Sequence, residues 1–443
     1  MTTPSPQSEP IPETRRAFLK KTSAVAMGTT LAGGLSLART AHAAGKGTIR
    51  VALVGCGGRG TGAAMQALTA GKDVKLVALA DAFRDRLDRA RTVLSQRFPD
   101  QVDLPNERLF EGLDAYRKAI DCDVDAVLLC TPPGFRPAQF EAAVAAGKHV
   151  FMEKPVSVDG PGTRRVLAAN QIAKQKGLAV VVGFHMRYEA NKQEAVRALR
   201  DGIIGKIMFL RAYFNSSGVG VHPRQPGQTE MEYQVRNWYY FNWLSGDHIV
   251  EQHVHDLDVC DWIQGAHPVS AQGMGGRQVR IGKDYGEIYD HHAVEYTYAD
   301  GVKLISFSRH IPGCWDSFAE HVHGTGGTAD LIGHGQITIT PEGKERMRWR
   351  RGPDGHQVEQ NDFFAAIRDG KALNDADNGA TSSMTSILGR MATYSGQIVT
   401  WDEAMNSQQS LSPKELSWES TPLAAPGPDG LYPCAMPGKY KVA

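Results

Sequence analysis

Four places in this chain combine residue types and spacings that suit chemistry. The run Gly55-Cys56-Gly57-Gly58-Arg59-Gly60 is a G-x-G-x-x-G. Glycines so spaced permit a tight turn at Gly55, a close backbone approach to a pyrophosphate at Gly57, and close helix–strand packing at Gly60. Asp81 follows about 20 residues later, where an acid would accept hydrogen bonds from adenosine ribose hydroxyls. It would also repel a 2′-phosphate, which favours NAD, although Arg84 and Arg86 just beyond it leave NADP open. Lys154, in Glu153-Lys154-Pro155, could hold a developing alkoxide by its charge. In the stretch 245–265 (SGDHIVEQHVHDLDVCDWIQG), Glu251, His255, Asp258 and Trp262 share one stripe if it is a helix advancing about 100° per residue. Oxidising a secondary alcohol needs a base for the hydroxyl proton while hydride leaves. Histidine is tuned for that task by default. On residue types alone, the stripe reads equally well as the solvated face of an amphipathic helix.

The elements around these residues strengthen the first readings. Thr48–Val54 is a short β-branched and apolar run, as a buried parallel strand requires. The glycine run and then a helical segment, 61–68, follow it. A second apolar run, Val74–Ala80, ends in Asp81. This strand–turn–helix–strand–acid unit is a dinucleotide-binding signature, far stronger than glycines alone. Further strands at Val124–Cys130 and His149–Met152 place Thr131, Pro132, Glu153 and Lys154 at the carboxyl edge of the sheet, where ligands bind. Cofactor contacts are therefore expected from Gly55, Gly57, Gly58, Arg59, Gly60, Asp81, Thr131, Pro132, Glu153 and Lys154. Later runs alternate as half-exposed strands, at 206–215, 294–298, 303–308 and 336–340, with few helical crossovers. The fold class is thus α/β. An N-terminal Rossmann domain over 44–175 precedes an α+β domain over 176–420 with a large, mostly antiparallel open sheet, and an extended arm over 421–443 closes the chain.

Composition agrees with an enzyme of this kind. The 443 residues are 42% hydrophobic and carry a net charge of +1, so neither bulk nucleic-acid nor anionic-membrane binding is indicated. Six cysteines include no C-x-x-C pair, and no disulfide can be assigned from spacing. Residues 1–43 are set aside as an export signal: Arg15-Arg16 leads a run of small and apolar residues that ends in Ala41-His42-Ala43. The expected location is the periplasm or beyond, with no membrane association once the signal is cleaved.

The order G-x-G-x-x-G, then a strand ending in Thr131-Pro132-Pro133, then Ala145-Ala146-Gly147-Lys148-His149-Val150-Phe151-Met152-Glu153-Lys154-Pro155, resembles the family of glucose–fructose oxidoreductase, inositol dehydrogenase and MocA. The resemblance covers most of the chain beyond the signal. It implies that Lys154 sits beside the nicotinamide and the reacting hydroxyl. The family's D-x-x-x-H-D-x-D aligns Glu251 with its first acid, His255 with its histidine and Asp258 with its last acid. Glu251 is one methylene longer than the family's aspartate. The family's T-P-N-x-x-H is here T-P-P-G-F-R, ending in Arg136. The expected catalytic set is Lys154, His255 and Glu251. The last would orient the imidazole or bind a sugar hydroxyl.

Weaker substrate candidates are Arg187, Tyr188, Trp238, Asp258, His291 and Arg309, with Trp238 in an aromatic loop suited to stacking on a sugar ring. No metal is expected: on a helix His253 points away from His255, and His248 lies nearly two turns from it. The function expected is hydride transfer between a hydroxyl of a sugar or glycoside and a tightly bound NAD or NADP, in a homo-oligomer. Two alternatives stand beside it: a redox-neutral glycosidase that oxidises, eliminates and reduces in one cycle, and a non-catalytic sugar-binding protein on the same fold.

Overall fold

The computed structural model describes residues 47–333 and 335–442. The expected export signal lies outside them. The first half alternates strands and helices: β1 (Ile49–Val54), α1 (Gly58–Thr69), β2 (Val74–Asp81), α2 (Arg84–Arg97), β3 (Leu109–Glu111), α3 (Ala115–Asp121), β4 (Ala126–Leu129), α4 (Arg136–Ala145), β5 (His149–Met152), α5 (Gly160–Gln175) and β6 (Val180–Val182). All six strands pair in parallel in the order β3-β2-β1-β4-β5-β6. Helices cover both faces of such a sheet, so its strands must be apolar throughout; β1 and β4 are buried at nearly every residue. The sheet runs past the expected domain boundary at 175, because Val180–Val182 pairs with β5 and completes it.

The second half follows as α6 (Ala190–Arg200), β7 (Ile207–Ser216), α7 (Glu230–Arg236), α8 (Asn242–Ser245), α9 (His248–Glu251), α10 (Val254–Gln264), β8 (Ser270–Gly276), β9 (His291–Thr297), β10 (Lys303–His310), β11 (Ser317–Gly324), β12 (Gly327–Ile332), β13 (Gln336–Pro341), β14 (Met347–Trp349), α11 (Gly355–Asp369), α12 (Ala376–Ser395), β15 (Val399–Thr400) and α13 (Trp401–Asn406). Nine strands form one sheet in the order β14-β13-β12-β11-β7-β10-β9-β8-β15. Every pair is antiparallel except β7 with β10. Burial alternates along β9 and β13, so one face carries the core and the other is open. The open face bears Tyr213 stacked on Phe307, with Trp315 edge-on and 65% exposed.

The buried α12 joins the halves, packing on α5 of the first and on β8 and β9 of the second. Among the described residues no helix is long and apolar enough to cross a membrane. All six cysteines are free thiols.

Candidate active site

A cavity of about 360 Å³ opens at the carboxyl ends of β1 and β4, where the strand order reverses. Open parallel sheets bind ligands at such points. The glycine run forms its floor. Gly55 takes a φ of +94°, and a Cβ there would lie 2.6 Å from the Cys130 carbonyl carbon. A Cβ on Gly60 would fall 1.8 Å from the Gly55 carbonyl oxygen, so α1 can approach β1 only with glycine. Around Gly57 the nearest atom is the flexible Arg86 guanidinium, 3.2 Å from an added Cβ, so a Cβ would fill space on the cavity side rather than hit the fold. Gly57 begins α1 with no side-chain cap. That leaves the N–H groups of the first turn to an anion.

Asp81 lines the cavity and ties the loop down: its carboxylate accepts from Cys56 N at 2.6 Å and from Phe83 N at 3.0 Å. Burial pushes its pKa above the ordinary carboxylate value, although the two backbone donors pull the other way. These features fit a dinucleotide: a glycine cradle, an uncapped helix start and an acid at the ribose position.

The other end of the cavity is lined by Lys154, Glu251 and His255. Lys154 stands at the end of β5, joined to Pro155 by a cis peptide. Its Nζ donates to the Glu251 backbone carbonyl and lies 3.0 Å from Glu251 Oε1, with both side chains 11% exposed. His255 lines the same wall, edge-on to Phe184 and 4.9 Å from the His185 ring centre. Glu153 turns the other way and pairs with Arg59. Burial alone would raise the Glu153 pKa, but the charge and hydrogen bond of Arg59 more than offset it and hold the carboxyl low. Behind them Glu359 is fully buried, and neither of its oxygens has a hydrogen-bond partner among the described residues. Burial, reinforced by the charge of Glu153, pushes its pKa well above the ordinary carboxylate value.

The expected helix over 245–265 is not continuous. Gly246 and Asp247 take φ values of 77° and 75°, and the chain breaks again at Gln252, so Glu251 ends α9 while His255 lies in the first turn of α10. The two still reach one cavity. Asp258 and Trp262 do not line it. Arg187 donates to both Asp258 oxygens, at 2.8–3.0 Å, and lies 5.3 Å over the Trp262 ring. Ser382 adds a further hydrogen bond to Asp258 at 2.5 Å. Arg187 and Asp258 thus engage each other instead of the cavity. Tyr188 donates to Asp375, His291 pairs with Asp290 at 2.7 Å, and Arg309 donates to the Trp315 carbonyl; none of the three lines the cavity. Trp238 does, as do Thr131 and Pro132. Arg136 lines it from beneath, fully buried and donating to the Leu129 and Thr131 carbonyls, with burial lowering its pKa to about 10.

Sequence reasoning did not find Phe83, Val235, Gln252 and His356, which also line the cavity. His356 comes from the first turn of α11 and stacks on His185 at 3.9 Å; burial, then the His185 charge, lowers its pKa to about 4. Asp354-Gly355 before it, a cap followed by a helix, was the only local signal. The histidines 248, 253 and 255 do not converge. His253 bonds Asp256 and Ser306 at 3.0 and 2.7 Å on the far side of α10. Among the described residues, the one group able to hold a metal is Asp247, His248 and His292. The Asp247 carboxylate there already accepts from Tyr394, His248 and Tyr289 N.

Two family profiles match the chain. One, described as an oxidoreductase family with an NAD-binding Rossmann fold (Gfo/Idh/MocA), covers residues 49–184. The other, the Gfo/Idh/MocA C-terminal domain, covers residues 193–330. The inositol 2-dehydrogenase of Rhizobium meliloti (strain 1021) is 26% identical over 348 residues, which is 76% of this chain and 94% of that protein. The myo-inositol 2-dehydrogenase of Thermotoga maritima is 26% identical over 358 residues, 78% of this chain and 96% of that protein. Among solved structures, levoglucosan dehydrogenase in complex with NADH and levoglucosan has a TM-score of 0.64 at 16% identity, covering 80% of this chain and 99% of that one. The aldose–aldose oxidoreductase of Caulobacter crescentus has a TM-score of 0.63 at 18% identity, with coverage of 80% and 99%.

Proposed function

The chain belongs to the Gfo/Idh/MocA family of NAD-dependent sugar and polyol oxidoreductases, and from that premise we propose that it oxidises a secondary hydroxyl of a cyclic sugar or polyol, with Lys154, His255 and Glu251 as its reactive set. The observation that carries this reading is the meeting of Lys154, Glu251 and His255 in one cavity with the glycine cradle. When bound, NAD supplies the hydride acceptor. His255 accepts the hydroxyl proton as the C–H bond breaks. The Lys154 ammonium stabilises the negative charge that develops on the oxygen. Glu251 holds that ammonium in place from two sides, by its carboxylate and its carbonyl. Its contact is with Lys154, which favours a role in placing the lysine over a role in orienting the imidazole. Trp238 offers a face for a sugar ring.

The substrate class follows from relatives named for inositol and levoglucosan, both cyclic polyols. Arg15-Arg16 and the run behind them support export, and the aromatic open face supports a homo-oligomer. The test is to incubate the protein with NAD and a panel of inositols, pyranoses and their glycosides while following nicotinamide absorbance. Reduction with one polyol class that vanishes in Lys154→Ala supports the reading. Binding of sugars without any reduction overturns it in favour of a sugar-binding protein.

A further inference from the structure

Beyond Asn406 the described chain forms no further helix or strand, yet it is pinned along its length. Near its start it is fixed to the nucleotide-binding half: Arg164 Nη1 donates to Ser407 O at 2.9 Å, and Leu411 N donates to Asp159 Oδ2 at 2.8 Å. Further on it is fixed to the second half: Gln234 Nε2 donates to Ala424 O at 2.7 Å, and Arg277 Nη2 donates to Tyr432 O at 2.8 Å. Between these anchors Trp418, half-buried, packs on Phe83 with ring centres 5.5 Å apart.

Phe83 lines the cavity two residues after Asp81, the acid that the glycine-loop motif assigns to the adenosine ribose. The guanidinium of Arg236 lies 3.7 Å from its ring centre and reaches Asp85 of α2 at 3.0 and 3.2 Å. This end of the cavity is therefore walled by two separate pieces of chain, Phe83 with Arg86 of α2 and Val235 of α7, and Arg236 ties the two together from outside the lining. The arm fastens both, by Trp418 on the first and Ala424 on the second.

We propose that the C-terminal arm is a strap over the adenosine end of the cofactor, with Trp418 as a positioning residue that acts through Phe83 and slows nucleotide release. The inference rests on the NAD-dependent reading above. It supplies a physical route to a cofactor that stays with the protein from one turnover to the next. An aromatic contact of this kind is worth about 0.5–1.5 kcal/mol beyond its buried area, so its loss speeds release about 2- to 13-fold.

The test uses the full chain loaded with NADH, chased with excess ADP-ribose in a stopped-flow instrument, for wild type, Trp418→Ala and Trp418→Phe. The expected result is faster release in Trp418→Ala, near wild-type release in Trp418→Phe, and unchanged affinity for reduced nicotinamide mononucleotide, which lacks the adenosine half. Trp418 is only half-buried, so the alanine variant is expected to fold, and a thermal melt checks it. If it melts early, the mononucleotide affinity separates general loosening from a lost strap, because loosening weakens both ligands. Release from Trp418→Ala within about twofold of wild type, or equal weakening of both ligands, overturns the strap. A wild-type protein that binds no NADH overturns instead the cofactor reading on which the strap rests.

Discussion

Lys154 and Glu251, 97 positions apart in sequence, meet at 3.0 Å, and the lysine also donates to the carbonyl of the same glutamate. The contact joins the segment just after β5 to the end of α9, and so places a cation at the border of the two halves. Lys154→Ala is expected to lower kcat about 10²- to 10⁴-fold, the range for a positioned acid–base or electrostatic group. NAD affinity should stay near wild type, since the glycine cradle is untouched. Steady-state kinetics with equilibrium NADH binding checks both parts.

Glu251→Gln separates two roles. A hydrogen bond to a charged group is worth about 1.5–3 kcal/mol, so if Glu251 positions Lys154, kcat falls about 10- to 100-fold with KM for the polyol little changed. A rise in KM with kcat retained would assign Glu251 to substrate binding instead.

Gly57→Ala and Gly60→Ala should fail in different ways. A methyl at Gly60 collides with the Gly55 carbonyl at 1.8 Å, so that variant loses stability by about 1–3 kcal/mol or more. At Gly57 only Arg86 is near, so that variant should melt like wild type and bind NAD poorly. Thermal melts with and without NAD distinguish the pair.

Asp81→Ala removes the acceptor for Cys56 N and Phe83 N as well as the carboxylate proposed to meet the ribose. KM for NAD should rise about tenfold or more, and preference should move towards NADP, whose 2′-phosphate Asp81 no longer repels. The ratio of kcat/KM for the two cofactors measures this.

Stability should fall as pH rises through Asp261. Burial lifts its pKa from 3.8 to about 7, against hydrogen bonds from Thr385 and Tyr298 that favour the charged form. The folded state then binds the proton more tightly than the unfolded state, so stability declines between those two values and the loss is complete above the upper one. Asp261→Asn keeps an acceptor for Tyr298 and should flatten the decline in Tm between about pH 4 and pH 7. An unchanged slope would assign the decline to other groups.

The nucleotide-binding half was legible because its signals are local: an apolar strand, the glycine turn, a helix, and an acid at the end of the next strand all lie within Ile49–Asp81. Lys154, Glu251 and His255 were legible through motifs. The helix expected to carry the last two was not, since Gly246 and Asp247 adopt left-handed φ values that periodicity does not report. Arg187 and Asp258 looked free in sequence because their partner is 71 positions away. His356 arrives from a region with no pattern of its own, carried to the cavity by the packing of α11 on α1. The seat of Trp418 on Phe83 was not legible, because it depends on an aromatic contact between residues more than 300 positions apart.

The most direct measurement follows a deuterium placed on the carbon that bears the reacting hydroxyl of a substrate found in the polyol panel. The account predicts that the label appears on the nicotinamide, in a reduced cofactor that accumulates, and that the product is the corresponding ketone. Cleavage of a glycosidic bond with no net reduction, or label released to solvent, would contradict it.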